Sequence, residues 1–373
     1  MTRANANMKK TYGPYGRSQP IPRDLNDVTP EWFDALLANA YPGVRVEAME
    51  RVELRNSHTT KLRIAVDYNE AGRAAGLPRH LCLKSNWSDG FNSGDICELE
   101  ARFYHSLGDS PSLPAARCYY ADWDGDGSGQ GVAVLEDLVD SGGTFGHSTD
   151  LIGVDGVAKA LEALAGLHGS FWNDERLTQQ SWLPRSMATP IDSDQINFMR
   201  PYINANFKRD KILQLIPERV VADHDLLDRA YAGLNKWVAQ QPGPFCLVHG
   251  DSHIGNTYVY PDGRRIWLDW QLCRIGHGYR DVTYFMTAAL TVDERRSSER
   301  DLLKHYREAL VATGAKDVPD VDTIFEHYRR WPIYGLQAWL QIEDWWGQDG
   351  SPALDRVSRA IEDLDTLDLL ENA

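Results

Sequence analysis

The stretch LVHGDSHIGN, residues 247–256, decides how the rest of the sequence is interpreted. An apolar strand ends there in a tight turn that carries Asp251, and Asn256 follows five residues later. A second apolar strand, IWLDW, brings Asp269 to its end. Two carboxylates and one amide at strand ends can converge on a single point. Oxygen groups of this kind suit Mg²⁺, which binds few protein ligands and completes its coordination with substrate phosphates.

These side chains match the requirements of phosphoryl transfer. Asp251 is a candidate to accept a proton from a hydroxyl, and Asn256 and Asp269 are candidates to hold a metal ion that also binds the phosphates of ATP. The competing explanation is structural, because Asp, Asn and Gly often end a strand by capping a turn. The Asn five residues after the Asp, together with the second strand that ends in Asp, favours catalysis.

A phosphotransferase of this kind also needs a cation that orients the nucleotide phosphates. Lys84 stands at the end of the predicted strand LCLK, and Glu100 opens the helical stretch EARFY sixteen residues later. A carboxylate on this helix would hold the ammonium group against the phosphates. Glu98 is the rival partner, because it lies two positions earlier and on a different helix face. The order of these residues relative to 247–256 favours a functional Lys84 over a solvated strand end.

Hydrophobic periodicity divides the 373 residues into two regions. Strand patterns dominate from about residue 45 to 136, with one helix, CELEARFYHSL, between them. After residue 138 the apolar residues recur mostly at helical spacing. We expect an N-terminal arm or strap at 1–25, a small lobe with an antiparallel sheet at 26–138, and a larger, mainly helical lobe at 139–373. The fold class is therefore α+β.

Composition excludes several classes of partner. With 54 acidic and 39 basic residues the formal net charge is −15, which disfavours nucleic acids and anionic membranes. No apolar run is long enough to span a membrane, and the N-terminus does not look like a secretory signal. The five cysteines are an odd number without a CxxC pair, which favours a reducing compartment. We expect a cytoplasmic enzyme.

A set of motifs in this order resembles the aminoglycoside phosphotransferase and choline kinase-like superfamily, and most closely its ecdysteroid kinase-like branch. The motifs lie between about residues 51 and 289 and are LCLKSN, ELEARFY, AVLEDL, LAGLHGSFW, LVHGDSHIGN, IWLDWQ and GYRDVTYF. The resemblance implies a protein-kinase-like bilobal fold with ATP and Mg²⁺ between the lobes. It also implies transfer of phosphate to a hydroxyl of a small organic molecule.

The resemblance assigns a role to each residue that was singled out above. Asp251 corresponds to the catalytic base, and Asn256 to a metal ligand. Asp269 stands where protein kinases have their metal-binding aspartate. Lys84 and Glu100 correspond to the ion pair that orients the phosphates.

Further positions follow from the resemblance alone. Glu136, Asp137 and Leu138 correspond to the hinge, whose backbone groups bind adenine. Asp281 matches an aspartate that braces the catalytic loop. His253 occupies the place of the kinase catalytic-loop lysine, and both contact with the γ-phosphate and a structural role remain open for it.

The sequence departs from protein kinases at two places. The turn that would cover the phosphates, RNSHTT at 55–60, contains no glycine. The hydroxyls of Ser57 and Thr59, with neighbouring backbone N–H groups, are its candidates to bind phosphate. Trp270 and Gln271 replace the Phe-Gly that follows the metal-binding aspartate in protein kinases, which argues against a regulated protein kinase.

Other patterns suggest different chemistry. DWDGDG at 122–127 copies half of a calcium loop, but position twelve is Ala133 instead of Glu, so a β-hairpin is the better interpretation. His249, Asp251 and His253 suggest a metal-dependent hydrolase, although no third His stands in a matching context. His168 is expected to be a buried, hydrogen-bonded core residue. A non-catalytic nucleotide-binding module is a further alternative.

The sequence does not name the phosphate acceptor. The segment at 331–346 is aromatic and acidic, and in the resembled family the C-terminal helices line the acceptor pocket. Aromatic residues there can stack on a ring, and Glu343 or Asp344 can meet a cation or a hydroxyl. Plain helix packing with a solvated acidic face is the favoured interpretation. Steroid, aminoglycoside, choline-like, sugar and xenobiotic alcohols all remain open.

Overall fold

The computed structural model describes residues 20–56, 59–87, 96–108, 110, 112–185, 194–341 and 349–372. The chain divides into two compact units. The first comprises the chain up to Thr144 with Tyr260–Asp262 and Leu268–Leu272, and the second comprises Phe145–Val259, Gly263–Trp267 and the chain from Cys273 onward. The short segment that carries Asp269 therefore belongs with the N-terminal strands, although it lies far from them in sequence.

A five-stranded antiparallel sheet forms the centre of the first unit. Its strands follow the order β1-β2-β3-β5-β4. The strands are β1 (Val46–Asn56), β2 (Thr60–Tyr68), β3 (His80–Ser85), β4 (Cys118–Trp123) and β5 (Gly131–Glu136). The helices of this unit are α1 (Pro30–Ala40), α2 (Glu70–Ala74) and α3 (Ile96–Ser106). Apolar side chains of α1, β2, β3 and β5 build one core, in which Phe33, Ile64 and Leu83 are fully buried.

Local signals explain where elements of this unit begin and turn. Thr29 caps α1, because its side chain accepts a hydrogen bond from the backbone N–H of Trp32 at 3.2 Å. The predicted hairpin between β4 and β5 is confirmed. Asp124 and Asp126 at its turn bind the guanidinium of Arg23 instead of assembling a calcium loop.

Residues 20–23, which precede a short 3₁₀ turn (Leu25–Asp27) and α1, pack on the sheet. Ile21 is buried. The carbonyl oxygen of Pro22 accepts hydrogen bonds from Trp87 Nε1 at 2.9 Å and from Gln130 Nε2 at 3.1 Å. The end of the predicted N-terminal arm is therefore anchored to the sheet of the first unit.

The second unit is mainly helical. Its helices are α4 (Gly153–Ser170), α5 (Glu175–Thr178), α6 (Asp194–Asn206), α7 (Asp210–Leu213), α8 (Glu218–Ala222), α9 (Asp225–Ala239), α10 (Tyr279–Ala289), α11 (Val292–Ala312), α12 (Val321–Tyr328), α13 (Pro332–Trp339), α14 (Ser351–Asp363) and α15 (Thr366–Glu371). All eleven residues of α10 are buried. The antiparallel N-terminal sheet and the mostly helical C-terminal region confirm the predicted α+β fold class.

Short strands flank the candidate loops, and all of their residues except Thr144 belong to the second unit. They are β6 (Thr144–Phe145), β7 (Cys246–Val248), β8 (Thr257–Val259), β9 (Arg265–Trp267) and β10 (Arg274–Gly276). β7 pairs with β10, and β8 lies between β6 and β9. Among the described helices, none combines the length and apolar character that a membrane crossing requires.

Two histidines are buried side by side in the second unit. The rings of His277 and His327 lie 5.0 Å apart, and the ring of Tyr279 lies 4.6 Å from that of His327. Burial lowers the pKa of His277 to about 4. Burial and the charge of His277 lower the pKa of His327 to about 3. Both rings are therefore neutral in the folded protein near neutral pH.

These lowered pKa values predict a loss of stability in mild acid. An unfolded histidine titrates near pH 6.5, so the unfolded chain binds more protons than the folded one below that pH, and stability falls as the pH drops from about 6.5 towards 4. Replacing His327 by Phe should reduce this fall by on the order of 3 kcal/mol. Urea denaturation at several pH values gives the free energy of unfolding and thus the size of this fall. The exposed His147→Phe is the control, and an unchanged slope in His327→Phe would contradict the prediction.

Candidate active site

The first group of candidate residues meets at a buried lysine in the first unit. Lys84 lies near the end of β3, and its Nζ lies 3.0 Å and 2.8 Å from the two carboxylate oxygens of Glu100 on α3. The same Nζ contacts the carboxylate of Asp269. Glu98 instead binds Arg102 at 2.7 Å. The structure thus pairs Lys84 with Glu100, a choice that the sequence left open.

The charges around Lys84 outweigh the cost of its burial. Burial by itself would lower the pKa of Lys84, but the charges and hydrogen bonds of Asp269 and Glu100 raise it above its ordinary value. Lys61 adds a second ammonium group 3.8 Å from Asp269. Two ammonium groups therefore lie beside one carboxylate that is partly exposed.

The segment that carries Asp269 is held against α3. The backbone N–H of Trp270 donates to Glu100 at 3.1 Å, and the Trp270 ring stacks on Phe103 at 4.2 Å. Asp269 itself has a φ of 60°, in the left-handed region that non-glycine residues rarely adopt. Such backbone strain persists where the surrounding contacts impose it, and it clusters at functional sites. The aromatic residue after Asp269 therefore serves as an anchor.

The second group of candidate residues lies in the loop after β7. The carboxylate of the buried Asp281, in the first turn of α10, accepts the backbone N–H of His249 at 2.6 Å and that of Gly250 at 3.0 Å. Ser252 Oγ donates to the backbone carbonyl of Asp281 at 2.9 Å. His168 binds the same carboxylate at 3.3 Å and Tyr306 at 2.8 Å. The predicted buried, hydrogen-bonded His168 is confirmed.

Hydrogen bonds keep the buried carboxylate ionised. Burial would raise the pKa of Asp281, but the hydrogen bond from His168 and the charge of Arg280 help to bring the pKa below its usual range. The ionised carboxylate is a strong acceptor for the two backbone N–H groups of the loop.

Two further side chains fix the peptide just before Asp251. The carbonyl oxygen of Gly250 accepts hydrogen bonds from Arg280 Nη2 at 2.8 Å and from the Tyr334 hydroxyl at 2.7 Å. Gly250 has a φ of 87°, which only glycine adopts without strain. The N–H of Asp251 donates to Nδ1 of His249 at 3.2 Å. Asp251 thus follows a peptide that is bound on both sides.

The carboxylate of Asp251 stays partly exposed and is oriented by Asn256. Asn256 Nδ2 donates to the carbonyl oxygen of Asp251 at 2.9 Å and to its carboxylate at 3.0 Å. Nε2 of His253 lies 3.7 Å from the Asp251 carboxylate.

Two of the candidate side chains carry oxygen donors of the kind that Mg²⁺ prefers. In the first unit, Asp269 offers a carboxylate whose side chain is 31% exposed. In the second unit, Asn256 offers an amide group whose nitrogen is hydrogen-bonded to Asp251. In the part of the chain that the structure describes, no group of three or more His, Cys, Asp or Glu residues is arranged to hold a metal ion. Mg²⁺ needs only one or two protein ligands when phosphates supply the others. His249 already accepts a hydrogen bond through Nδ1, so a hydrolase centre at this turn gains no support.

The predicted hinge residues Glu136, Asp137 and Leu138 are hydrogen-bonded to other residues of the first unit. The N–H of Glu136 donates to Arg117, and the carbonyl of Leu138 accepts from Ser141. The side chain of Asp137 binds Arg63 at 2.9 Å. The adenine-binding role of this segment stays a prediction.

The two candidate phosphate-binding hydroxyls also differ. Thr59 is buried, and its hydroxyl accepts from Gln271 Nε2 at 3.3 Å, which links the β1–β2 turn to the segment of Asp269. Ser57 lies outside the described residues, as do Glu343 and Asp344.

Sequence reasoning missed the roles of Arg280 and Tyr334. Both were visible in motifs that had been singled out, Arg280 as a charged residue in GYRDVTYF and Tyr334 in the aromatic stretch at 331–346. Neither signal shows that the two side chains meet at one carbonyl oxygen. The position of Arg280 in a mostly apolar helix was the signal that could have indicated a structural role for it.

Replacing Asp281 by Asn should destabilise the protein by about 2–4 kcal/mol, because one of the two backbone N–H donors then faces an amide instead of a carboxylate oxygen. Urea denaturation measures the loss. Asp293→Asn is the matched control, since the side chain of Asp293 is 97% exposed. Equal stabilities of the two variants would show that the loop does not depend on Asp281.

Comparisons with known proteins identify the family of the chain. The model of the ecdysteroid kinase-like family matches residues 60–316, well over half of the chain. No curated protein sequence gives a significant match. The structure of the choline kinase LicA from Streptococcus pneumoniae is 15% identical, with a TM-score of 0.50, and the match covers 91% of this chain and 99% of that chain.

Two further solved structures are similar at lower scores. An ethanolamine kinase from Plasmodium vivax is 11% identical, with a TM-score of 0.47, and the match covers 85% of this chain and 81% of that chain. A spectinomycin phosphotransferase is 13% identical, with a TM-score of 0.47, and the match covers 92% of this chain and 99% of that chain. The family match confirms the resemblance seen in the sequence, and the chain belongs to the ecdysteroid kinase-like family.

Proposed function

We propose that the protein transfers the γ-phosphate of ATP to a hydroxyl of a small organic molecule, with Mg²⁺ bound. Membership of the ecdysteroid kinase-like family supports small-molecule phosphotransferase activity. The observation that carries the proposal is the buried Lys84, which binds Glu100 and contacts Asp269. The five cysteines are free thiols, which supports the proposed cytoplasmic location.

On the nucleotide side, Lys84 binds the α- and β-phosphates, and Glu100 keeps the ammonium group in place. Asp269 and Asn256 are the residues that would hold Mg²⁺. Bound Mg²⁺ supplies positive charge that neutralises the phosphate oxygens. When the nucleotide binds, Lys84 gives up its contact with Asp269 and contacts a phosphate instead. The positive charge that the phosphates require is therefore in place before the nucleotide binds.

On the acceptor side, Asp251 accepts the proton of the hydroxyl or orients its oxygen. Its carboxylate is 30% exposed and is directed by Asn256, while Asp281, Arg280 and Tyr334 hold the preceding backbone. A base that is held in this way costs little reorganisation when the transition state forms. Phosphoryl transfer needs little covalent help from the protein, so positioning and electrostatics supply most of the rate.

Replacing Asp251 by Asn should lower turnover by about 10²–10⁴-fold, because the amide cannot accept the proton. Nucleotide binding should survive, since the Lys84 network is untouched. Release of ADP in the presence of a panel of alcohols measures turnover. A variant that keeps most of its activity would show that Asp251 is not the base. Nucleotide binding without any transfer by the wild-type protein would instead favour a non-catalytic module.

Replacing Glu100 by Gln should weaken nucleotide binding about tenfold, because Lys84 loses the carboxylate that holds it. A non-hydrolysable ATP analogue with Mg²⁺ should raise the melting temperature of the wild-type protein, and the tenfold loss should remove about 1.4 kcal/mol of this stabilisation.

Glu98→Gln is the matched control for this experiment. Glu98 lies on the same helix but binds Arg102. It should leave the nucleotide shift unchanged. If no nucleotide stabilises the wild-type protein, with or without Mg²⁺, the proposed use of ATP is wrong.

A further inference from the structure

The turn between β4 and β5, residues 124–130, contacts the start of the helix that carries Glu100. We name these residues the hairpin turn. The carbonyl oxygen of Gly129 accepts the backbone N–H of Glu98 at 3.0 Å. Glu98 lies in the first turn of α3, where backbone N–H groups have no acceptor within the helix. The hairpin turn therefore supplies an acceptor to α3 two residues before Glu100.

The strands on either side of the hairpin turn also pack against α3. Gly131, the first residue of β5, faces the helix so closely that a Cβ there would lie 2.9 Å from Cα of Glu98. Further along α3, the guanidinium of Arg102 lies 4.4 Å from the centre of the Trp123 ring, and the ring of His105 lies 5.2 Å from it. A movement of the hairpin would therefore move α3 as well.

Residues 21–23, which we name the N-terminal tether, bind the hairpin turn through an ion pair. Arg23 Nε donates to Asp124 at 2.8 Å, and the same guanidinium contacts Asp126. The side chain of Asp124 is 6% exposed, whereas those of Arg23 and Asp126 are 59% and 45% exposed. Ion pairs this exposed contribute little to the stability of a fold. Removing the charge of Arg23 should therefore leave the protein folded, so that an effect on the site can be measured.

The N-terminal tether also binds the hairpin turn through a buried amide. The carbonyl oxygen of Pro22 accepts Gln130 Nε2 at 3.1 Å, and the same Nε2 donates to Ser85 Oγ at 3.0 Å. Ser85 is fully buried and directly follows Lys84 in β3. One side chain of the hairpin turn thus connects the N-terminal tether to the strand that carries the lysine of the site.

The pair of Lys84 and Glu100 depends on how β3 and α3 are held. Both residues are buried, with relative exposures of 5% and 2%, and Lys84 Nζ lies 2.8 Å from the nearer carboxylate oxygen of Glu100. Separating a buried charge from its partner is costly, and here the two partners come from different elements. Because the hairpin turn is bound to both elements, its position affects the distance between the two charges.

We propose that Arg23 and Gln130 are positioning residues of the nucleotide site. They hold the hairpin turn, and through it α3, where Glu100 binds Lys84. Loss of their contacts lets α3 move and weakens nucleotide binding, although neither residue touches the nucleotide. The inference rests on the proposed phosphotransferase function and adds a determinant of nucleotide affinity that lies outside the site.

The first test measures nucleotide affinity. Arg23→Met removes the charge and keeps an apolar side chain, and the double variant Arg23→Met/Gln130→Met removes both side-chain contacts. Isothermal titration calorimetry gives the Kd of a non-hydrolysable ATP analogue in the presence of Mg²⁺. We expect Kd to rise about threefold in the single variant and about tenfold in the double variant.

Reversal of the ion pair and a matched control make the test specific. Asp126→Arg should raise Kd as Arg23→Met does, and the double variant Arg23→Asp/Asp126→Arg should restore it, because the opposite charges face each other again. Arg51→Met is the control. Arg51 is also an exposed arginine, but its Nη2 donates to the carbonyl oxygen of Leu25 at 2.6 Å and so binds the chain to β1. It should leave Kd unchanged.

Hydrogen exchange, measured by mass spectrometry, reports on α3 without any nucleotide. Peptides from the start of α3, which include the N–H of Glu98, should exchange faster in Arg23→Met than in the wild-type protein. Peptides from α11 should be unchanged, which shows that the protein as a whole has not loosened. The control Arg51→Met should exchange like the wild-type protein in both regions.

Three results would overturn the inference. They are an unchanged Kd in the folded double variant Arg23→Met/Gln130→Met, an equal rise of Kd in Arg51→Met, and unchanged exchange of α3 in Arg23→Met. If the wild-type protein binds the ATP analogue and α3 does not respond, only the inference fails. If the wild-type protein binds no nucleotide, the proposed function fails and the inference fails with it. If the double variant Arg23→Met/Gln130→Met does not fold, Arg23→Met and the reversed ion pair decide the question.

Discussion

Asp281 is completely buried, and its carboxylate accepts the backbone N–H groups of His249 and Gly250. A buried carboxylate is costly unless hydrogen bonds satisfy it, and here the loop and His168 supply them. In return, the backbone of the loop is fixed. The N–H groups of His249 and Gly250 follow β7 directly, and the ionised carboxylate of Asp281 accepts both of them. The positions of Asp251 and Asn256 follow from this fixed start. The rest of the second unit's site therefore depends on one buried charge and its donors.

Small residues make room for this arrangement. A Cβ at Gly278 would lie 2.6 Å from Nδ1 of His168 and 2.8 Å from the Tyr306 hydroxyl, so a side chain there would push apart the pair that supports Asp281. A Cβ at Gly255 would lie 2.9 Å from Nδ1 of His253. Contacts this short do not occur for real Cβ atoms without displacement of the neighbour. Glycine at position 278 therefore leaves room for the side chains that support Asp281, and glycine at position 255 leaves room for His253.

In the first unit, a buried cation is stabilised in the same way, by partners that satisfy its charge. Lys84 is buried and is kept charged by Glu100 and Asp269, which come from a helix and from a distant segment of the chain. Removing either carboxylate would leave a buried charge without full compensation, which is among the costliest changes in a protein interior. The stacking of Trp270 on Phe103 explains how a segment 170 residues away in sequence stays in register with α3. The charge of Lys84 and the packing of this segment therefore rely on the same contacts.

The sequence by itself determined the two lobes, several of their helices and strands, and the candidate residues. Helical and strand periodicity, the Thr29 cap and the β4–β5 turn act between residues that are close in the chain, so local physics makes them readable. The strand-end carboxylates and Lys84 were visible for the same reason. Only the tertiary structure decided that Glu100 instead of Glu98 binds Lys84. It also decided that Tyr334 reaches a carbonyl 84 residues earlier. These choices depend on the direction of side chains from packed elements, and no pattern along the chain records that direction.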